Sequence, residues 1–164
     1  MSMVARPDIT AAAGDVTDTD DGDARITADD FWPETELHAL RLAVRLPGRT
    51  TTSRLMHAAT EAVAHVTGEL RHWQLQQMND GYRTLADVPA SRVNDESVNV
   101  HRFRLAVYAA TRALILERVR DVDTTEKGDR KADALEAQTE DLWRDVRWAI
   151  ADIQDAPRLF VRLC

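Results

Sequence analysis

The chain has little of the punctuation that β folds depend on. It holds six glycines and five prolines in 164 residues, and aromatics are only 5% of the total. No stretch sustains an apolar-polar alternation, while Ala and Leu are plentiful, so the composition argues for an all-α domain. The single cysteine, Cys164, stands last and cannot form an intramolecular disulfide, which fits a reducing cytoplasm. Long apolar runs are missing too. The most apolar window, Leu105 to Leu116, is interrupted by Arg112 and falls short of the ~20 residues of a spanning helix, so a soluble protein with no membrane partner is expected. The opening Met-Ser-Met-Val-Ala-Arg-Pro has no basic segment followed by an apolar one and does not read as a signal peptide. Gly-rich phosphate loops, Cys-x-x-Cys pairs, Gly-x-Ser-x-Gly elbows and His-Glu-x-x-His motifs are all absent, which argues against an enzyme and against a cofactor.

The formal charge of −7 is local rather than global. Asp15, Asp18, Asp20, Asp21, Asp23, Asp29 and Asp30 face one base, Arg25, so sixteen residues carry −6 and the other 148 about −1. A nearly neutral folded part offers no strong non-specific pull on nucleic acid or an anionic membrane. Residues 1–28 hold almost no large apolar side chain and read as a disordered acidic arm, dispensable for folding. The cluster Asp18, Asp20, Asp21, Gly22, Asp23 invites a calcium reading. With Gly22 at loop position six, however, Thr17 and Ala28 fall where an EF-hand needs Asp and Glu. A solvated tail is the expectation.

Four helices are predicted over residues 29–156. Phe31-Trp32-Pro33-Glu34 opens the first, with Leu37, Leu40 and Val44 inward and Pro47-Gly48 at its end. Thr51, Thr52 or Ser53 caps the second, whose stripe is Leu55, Ala59, Ala62, Val66, Leu70 and Trp73, and which stops near Asn79-Asp80-Gly81. A loop covers Tyr82 to Asn94. The third helix starts near Asn94 or Asp95 and is apolar on most sides, the mark of a helix in the middle of a bundle. The fourth, Thr125 to Ile153, repeats Leu135, Thr139, Leu142, Val146, Ala149 and Ile153 at alternating steps of four and three, one stripe facing a partner. Between these two lies the acidic hinge from Arg120 to Asp129. After Pro157 an extended C-terminal tail is expected.

Three constellations bear on function. His57, Glu61, His65, Glu69 and His72 share one strip of the second helix, and Glu69-x-x-His72 matches half of a di-iron motif. The second half is missing, and the strip lies roughly 115° from the apolar stripe, so a solvated face is the expectation. Arg41, Arg45 and Arg49, with Arg54 nearby, lie a turn apart on or after the first helix, either as a solvated basic ridge or as a lining for DNA phosphate or a dock for an acidic partner. Trp148 sits among Asp141, Arg144, Asp145 and Asp152, away from the stripe, where it either covers its own helix or anchors a subunit contact.

Four stretches in order resemble the head completion (gpL) family of P2-like, contractile-tailed bacteriophages: Phe31-Trp-Pro-Glu34, Gly81-Tyr-Arg-Thr-Leu-Ala-Asp-Val-Pro89, Leu105-Ala-Val-Tyr108, and Arg120-Asp-Val-Asp-Thr-Thr125 leading to Asp141-Leu-Trp-Arg-Asp-Val-Arg-Trp-Ala-Ile150. The resemblance implies a small four-helix bundle of the head-tail connector type, acting in the virion at the head-tail junction. Copies would form a ring under the phage portal protein, dodecameric to match it, added after packaging to hold the DNA in the head. The ring would also offer a surface to a tail-side connector or tail terminator protein, with packaged DNA in the channel. By the same analogy the tail residues Arg158, Leu159, Phe160, Val161 and Arg162 reach the portal, where an extended strand could join a sheet edge. Two rival readings stand beside it: a helical DNA-binding regulatory or packaging protein using the arginine ridge, and a metalloenzyme using the histidine strip.

Overall fold

The computed structural model describes residues 18–47, 49–120 and 126–158. In chain order they form β1 (Arg25–Ile26), β2 (Thr35–Glu36), α1 (Leu37–Ala43), α2 (Thr52–Glu69), α3 (Arg71–Asn79), a 3-10 turn (Leu85–Asp87), β3 (Arg92–Val93), β4 (Glu96–Ser97), α4 (Val98–Arg120) and α5 (Glu126–Ile153). The chain is thus mostly helical, but not strictly all-α: two antiparallel two-residue ladders, β1 with β2 and β3 with β4, accompany five helices among the described residues. None of those helices is long and apolar enough to cross a membrane.

The first helix is shorter than its sequence suggests. Pro33 disfavours a helical Trp32, and Thr35 and Glu36 pair with Ile26 and Arg25, a ladder extended by the Leu37 amide donating to the Ala24 carbonyl at 3.0 Å. Helix α1 therefore starts only at Leu37. Phe31 and Trp32 go into the core instead, 2% and 5% exposed. Trp32 stacks on Phe103 of α4 at 5.0 Å and meets Phe31 edge-on at 4.8 Å, while Phe31 meets Trp73 of α3 edge-on at 6.3 Å. Aromatic pairs of this geometry contribute beyond their buried area. Here they tie the turn before α1 to two helices distant in sequence.

The second predicted helix is capped as expected, the Thr51 hydroxyl accepting from the Arg54 amide at 3.3 Å. It breaks at Leu70 (φ −92°, ψ 1°), two residues after Gly68, which resists departure from helical geometry least. The expected loop holds more structure than that. Thr84 and Asp87 form a reciprocal capping box around the 3-10 turn, and Asn94 and Asp95 take positive φ of 52° and 60°. Two such residues make the mirror-image turn that matches strand twist, so Asn94-Asp95 closes the β3–β4 hairpin. Helix α4 begins only after it, at Val98.

Helix α4 is central, as its lack of a polar face predicts. Phe103, Ala106, Val107 and Ala110 are buried against Leu55, Ala58, Ala59 and Ala62 of α2 and against Val146, Ala149, Ile150 and Ile153 of α5. The predicted α5 stripe is the inward one: Thr139, Val146, Ala149 and Ile153 are buried, and Leu135 and Leu142 half-buried.

The arm is the main correction. Residues 1–17 lie outside the described part, but 18–28, expected in a disordered arm, pack on the bundle. The Asp21 side chain is fully buried and binds the Arg41 guanidinium at 2.5 and 2.9 Å, while also accepting from the Thr52 hydroxyl at 2.8 Å. Arg41 donates further to the Thr50 carbonyl at 2.7 Å, and the Asp18 carbonyl accepts from the Thr52 amide at 2.5 Å. Composition pointed to disorder because these residues bring little apolar surface; one paired carboxylate supplies the anchor instead. Hydrogen bonding to Arg41 outweighs burial and holds the Asp21 carboxyl below the usual carboxylate range.

Two predictions follow from this packing. Removing one partner of a buried pair strands the other, so Asp21→Ala should cost about 3 kcal/mol in urea unfolding at neutral pH; a change below about 0.5 kcal/mol would mean the anchor is dispensable. Because the folded pKa is depressed, the contribution is complete above the unfolded value of about 3.9 and is lost as pH falls through the lower, folded value. Wild type should therefore lose stability more steeply than Asp21→Ala in the acid range below about pH 4, and parallel pH profiles would refute the linkage.

Candidate interface surfaces

Trp148 sits on α5 beside the stripe, half-buried, and its ring lies between two guanidinium groups, those of Arg144 and Arg158, each 4.8 Å from its centroid. Arg144 is held by Asp141 at 2.8 Å. Arg158 is brought back by the end of the helix: Asp155 takes a positive φ of 53°, the Ala156 amide donates to the Ala151 carbonyl at 2.9 Å, and Pro157 follows. The Arg158 guanidinium then forks onto Asp152, with Nε and Nη2 at 3.1 and 2.6 Å. That hydrogen bond lowers the Asp152 pKa and raises that of Arg158. The pair is open to solvent and fixes position more than it stabilises.

Trp148 and this returning segment edge a cavity of about 580 Å³, walled on the other side by His65 and Glu69 of α2 and by Trp143 of α5. Trp143, which the sequence reading passed over, donates its indole N–H to Glu117 of α4 at 2.7 Å and meets the His65 ring edge-on at 5.2 Å. Its position beside Leu142 on the stripe was the signal that could have found it. His65 and Glu69 thus belong to this wall. The whole strip, with His57, Glu61 and His72, is exposed, and no group of three or more potential metal ligands occurs among the described residues.

The structure does not assemble the arginine ridge as the sequence suggests. Arg41 turns inward to Asp21 and is unavailable to an outside ligand, because the arm that pairs with it is packed rather than loose. Arg45 and Arg49 stay exposed. Arg49 joins Arg54 and Arg118, the last from the far end of α4, around a second cavity of about 600 Å³ completed by Pro47, Thr50, Ile115 and Val119. Sequence spacing could not have found Arg118, since only the fold brings α4 to the start of α2. Of the tail residues singled out, Arg158 is seen folded back on α5, while Leu159, Phe160, Val161 and Arg162 lie outside the described residues.

The described surface thus presents two cavities, one edged by half-buried tryptophans and the other by arginines, on a helical frame. The family model for phage head completion protein (GPL) matches residues 26–164. The chain belongs to that family. It is also 38% identical over 131 residues to the head completion/stabilization protein of Escherichia phage P2, covering 80% of this chain and 78% of that relative. No solved structure matches it. The family match takes in everything from Ile26 onward, so the aromatic turn, the hairpin and all five helices belong to the shared unit.

If Trp148 serves contact rather than core in this family member, its removal should be mild. Trp148→Ala should change unfolding free energy by no more than about 1 kcal/mol, whereas Val146→Asp, placing an unpaired carboxylate at a fully buried position, should cost about 4 kcal/mol or abolish folding. Comparable losses in thermal melts of the two variants would put Trp148 in the core.

Proposed function

We propose that this protein is a structural virion component that completes the DNA-filled head, forming a ring beneath the portal and preparing the site at which the tail joins. What carries the reading is the family match across residues 26–164, which spans every described helix. The P2 relative bears the name of a head completion and stabilization protein, and a rigid helical frame with exposed contact surfaces suits a mechanical part with no turnover. On this reading the partners are the portal, a tail-side connector or terminator, neighbouring copies in a ring of about twelve to match the portal, and packaged DNA in the channel. The rival DNA-regulatory reading loses its central residue, because Arg41 is engaged by Asp21.

The tail is the proposed portal contact. Residues 159–164, Leu-Phe-Val-Arg-Leu-Cys, combine an aromatic and branched apolar residues suited to adding a strand to an exposed sheet edge. Arg158, just before that segment, is held to Asp152.

The test is genetic and then biochemical. A phage with a nonsense codon in this gene should accumulate DNA-filled heads that leak their genome and carry no tails, and purified protein added to such heads should restore tail joining. Normal yields of tailed particles from the mutant would overturn the reading. Truncation after Ala156 should leave thermal unfolding nearly unchanged yet abolish binding to purified portal rings; normal binding would remove the tail from the contact.

A further inference from the structure

The second cavity gathers three arginines. Arg49, Arg54 and Arg118 come from the loop before α2, the first turn of α2 and the end of α4. Among the described residues, no carboxylate lies within ion-pair distance of any of the three, in contrast to Arg25, Arg41, Arg104, Arg144 and Arg158. Between them, Ile115, Val119 and Pro47 make an apolar floor, and Val119 is 37% exposed. Duplex DNA phosphate needs no such floor. A protein surface with carboxylates around short apolar side chains fits both features.

The chain carries such a surface on α5. Asp133 and Glu140 are its acids, while Asp141 at its edge is already paired with Arg144. Asp133 and Glu140 are two turns apart, exposed, and lie on the side of the helix turned away from Leu135, Thr139 and Leu142, which face α4. Ala134 and Ala137 between them are exposed as well, leaving low apolar ground among the acids. Among the described residues, none from α5 lines the arginine cavity. The two surfaces therefore differ, and a contact between them is heterologous, the kind that propagates and closes into a ring when the rotation between neighbours permits.

We infer that the cavity of Arg49, Arg54 and Arg118 receives the acidic face of α5, centred on Asp133 and Glu140, from a second copy of this chain. The inference rests on the ring reading above and gives that ring its subunit contact. Each copy offers one cavity and one face, so every copy bridges two neighbours. Charge supplies the register, and the apolar floor supplies shape.

A charge swap in the full-length protein tests it. Both surfaces are exposed, so Arg49→Glu/Arg54→Glu/Arg118→Glu and Asp133→Lys/Glu140→Lys should each melt like wild type. By sedimentation velocity, wild type should self-associate with rising concentration and weaken about tenfold between low and high salt. Each variant alone should be monomeric, and an equimolar mixture should associate again, since every contact then pairs opposite charges. Variants that associate as wild type does, a mixture that stays monomeric, or a wild type that is monomeric at every concentration would each overturn the contact. Salt-dependent retention of duplex DNA, lost only in the arginine variant while association persists, would give the cavity to nucleic acid and overturn it too. If the variants fail these tests but wild type still restores filled heads, the contact is wrong and head completion stands; if wild type restores nothing, head completion itself fails.

Discussion

Helix α4 sets the terms for everything else. It is apolar on nearly every side, with Val100, Phe103, Ala106, Val107, Ala109, Ala110, Ala113, Ile115 and Leu116 all buried, so no single neighbour can cover it. Helix α2 takes one side, α5 another, and the turn at Trp32 stacks on Phe103 at the N-terminal end. Alanines of α2 and α4 and the aliphatics Val146, Ile150 and Ile153 of α5 share one buried cluster around it. Burial of this one helix dictates that the remaining elements wrap around it.

That constraint also explains which parts of the fold were legible in the sequence. The α5 stripe and the central place of α4 were readable because helical periodicity reports directly which face is covered. The start of α1, the Asn94-Asp95 turn and the break at Leu70 were not. At Pro33 and Asn94 the residues that open helices also serve in turns and short ladders, and the choice was made by partners far along the chain: Ala24 for Leu37, and Glu96, whose carboxylate reaches Arg104 at 3.0 Å and so docks the hairpin on α4.

The candidate surfaces divide in the same way. Trp148 was marked by its position off the stripe and beside Arg144, but its second guanidinium neighbour, Arg158, depends on a reversal of the chain after Asp155 that no local pattern announces. Spacing alone put Arg41, Arg45 and Arg49 together, yet a buried carboxylate from a segment judged too polar to fold removes Arg41 from that set. A charge-rich segment can be anchored by a single well-satisfied pair when its partner already stands at the edge of a core, and composition counts charges without knowing where the partner is.

Removing Arg41 from the surface has a further effect on where positive charge remains. With Asp21 neutralising it, Arg45 stays exposed beside α1, and three further arginines gather at the junction of the α1–α2 loop with the end of α4. There the bundle's cover is thinnest: Glu117, Arg118 and Val119 are exposed, and α5 opposite them turns exposed side chains outward through most of residues 130–138. The end of α4 is thus positive and partly apolar where it meets the start of α2, and α5 is acidic on its outer side. Two unlike faces of opposite charge are complementary between copies, and because they differ, the contact proposed above is heterologous, the type from which a ring can be built when the rotation between neighbours closes.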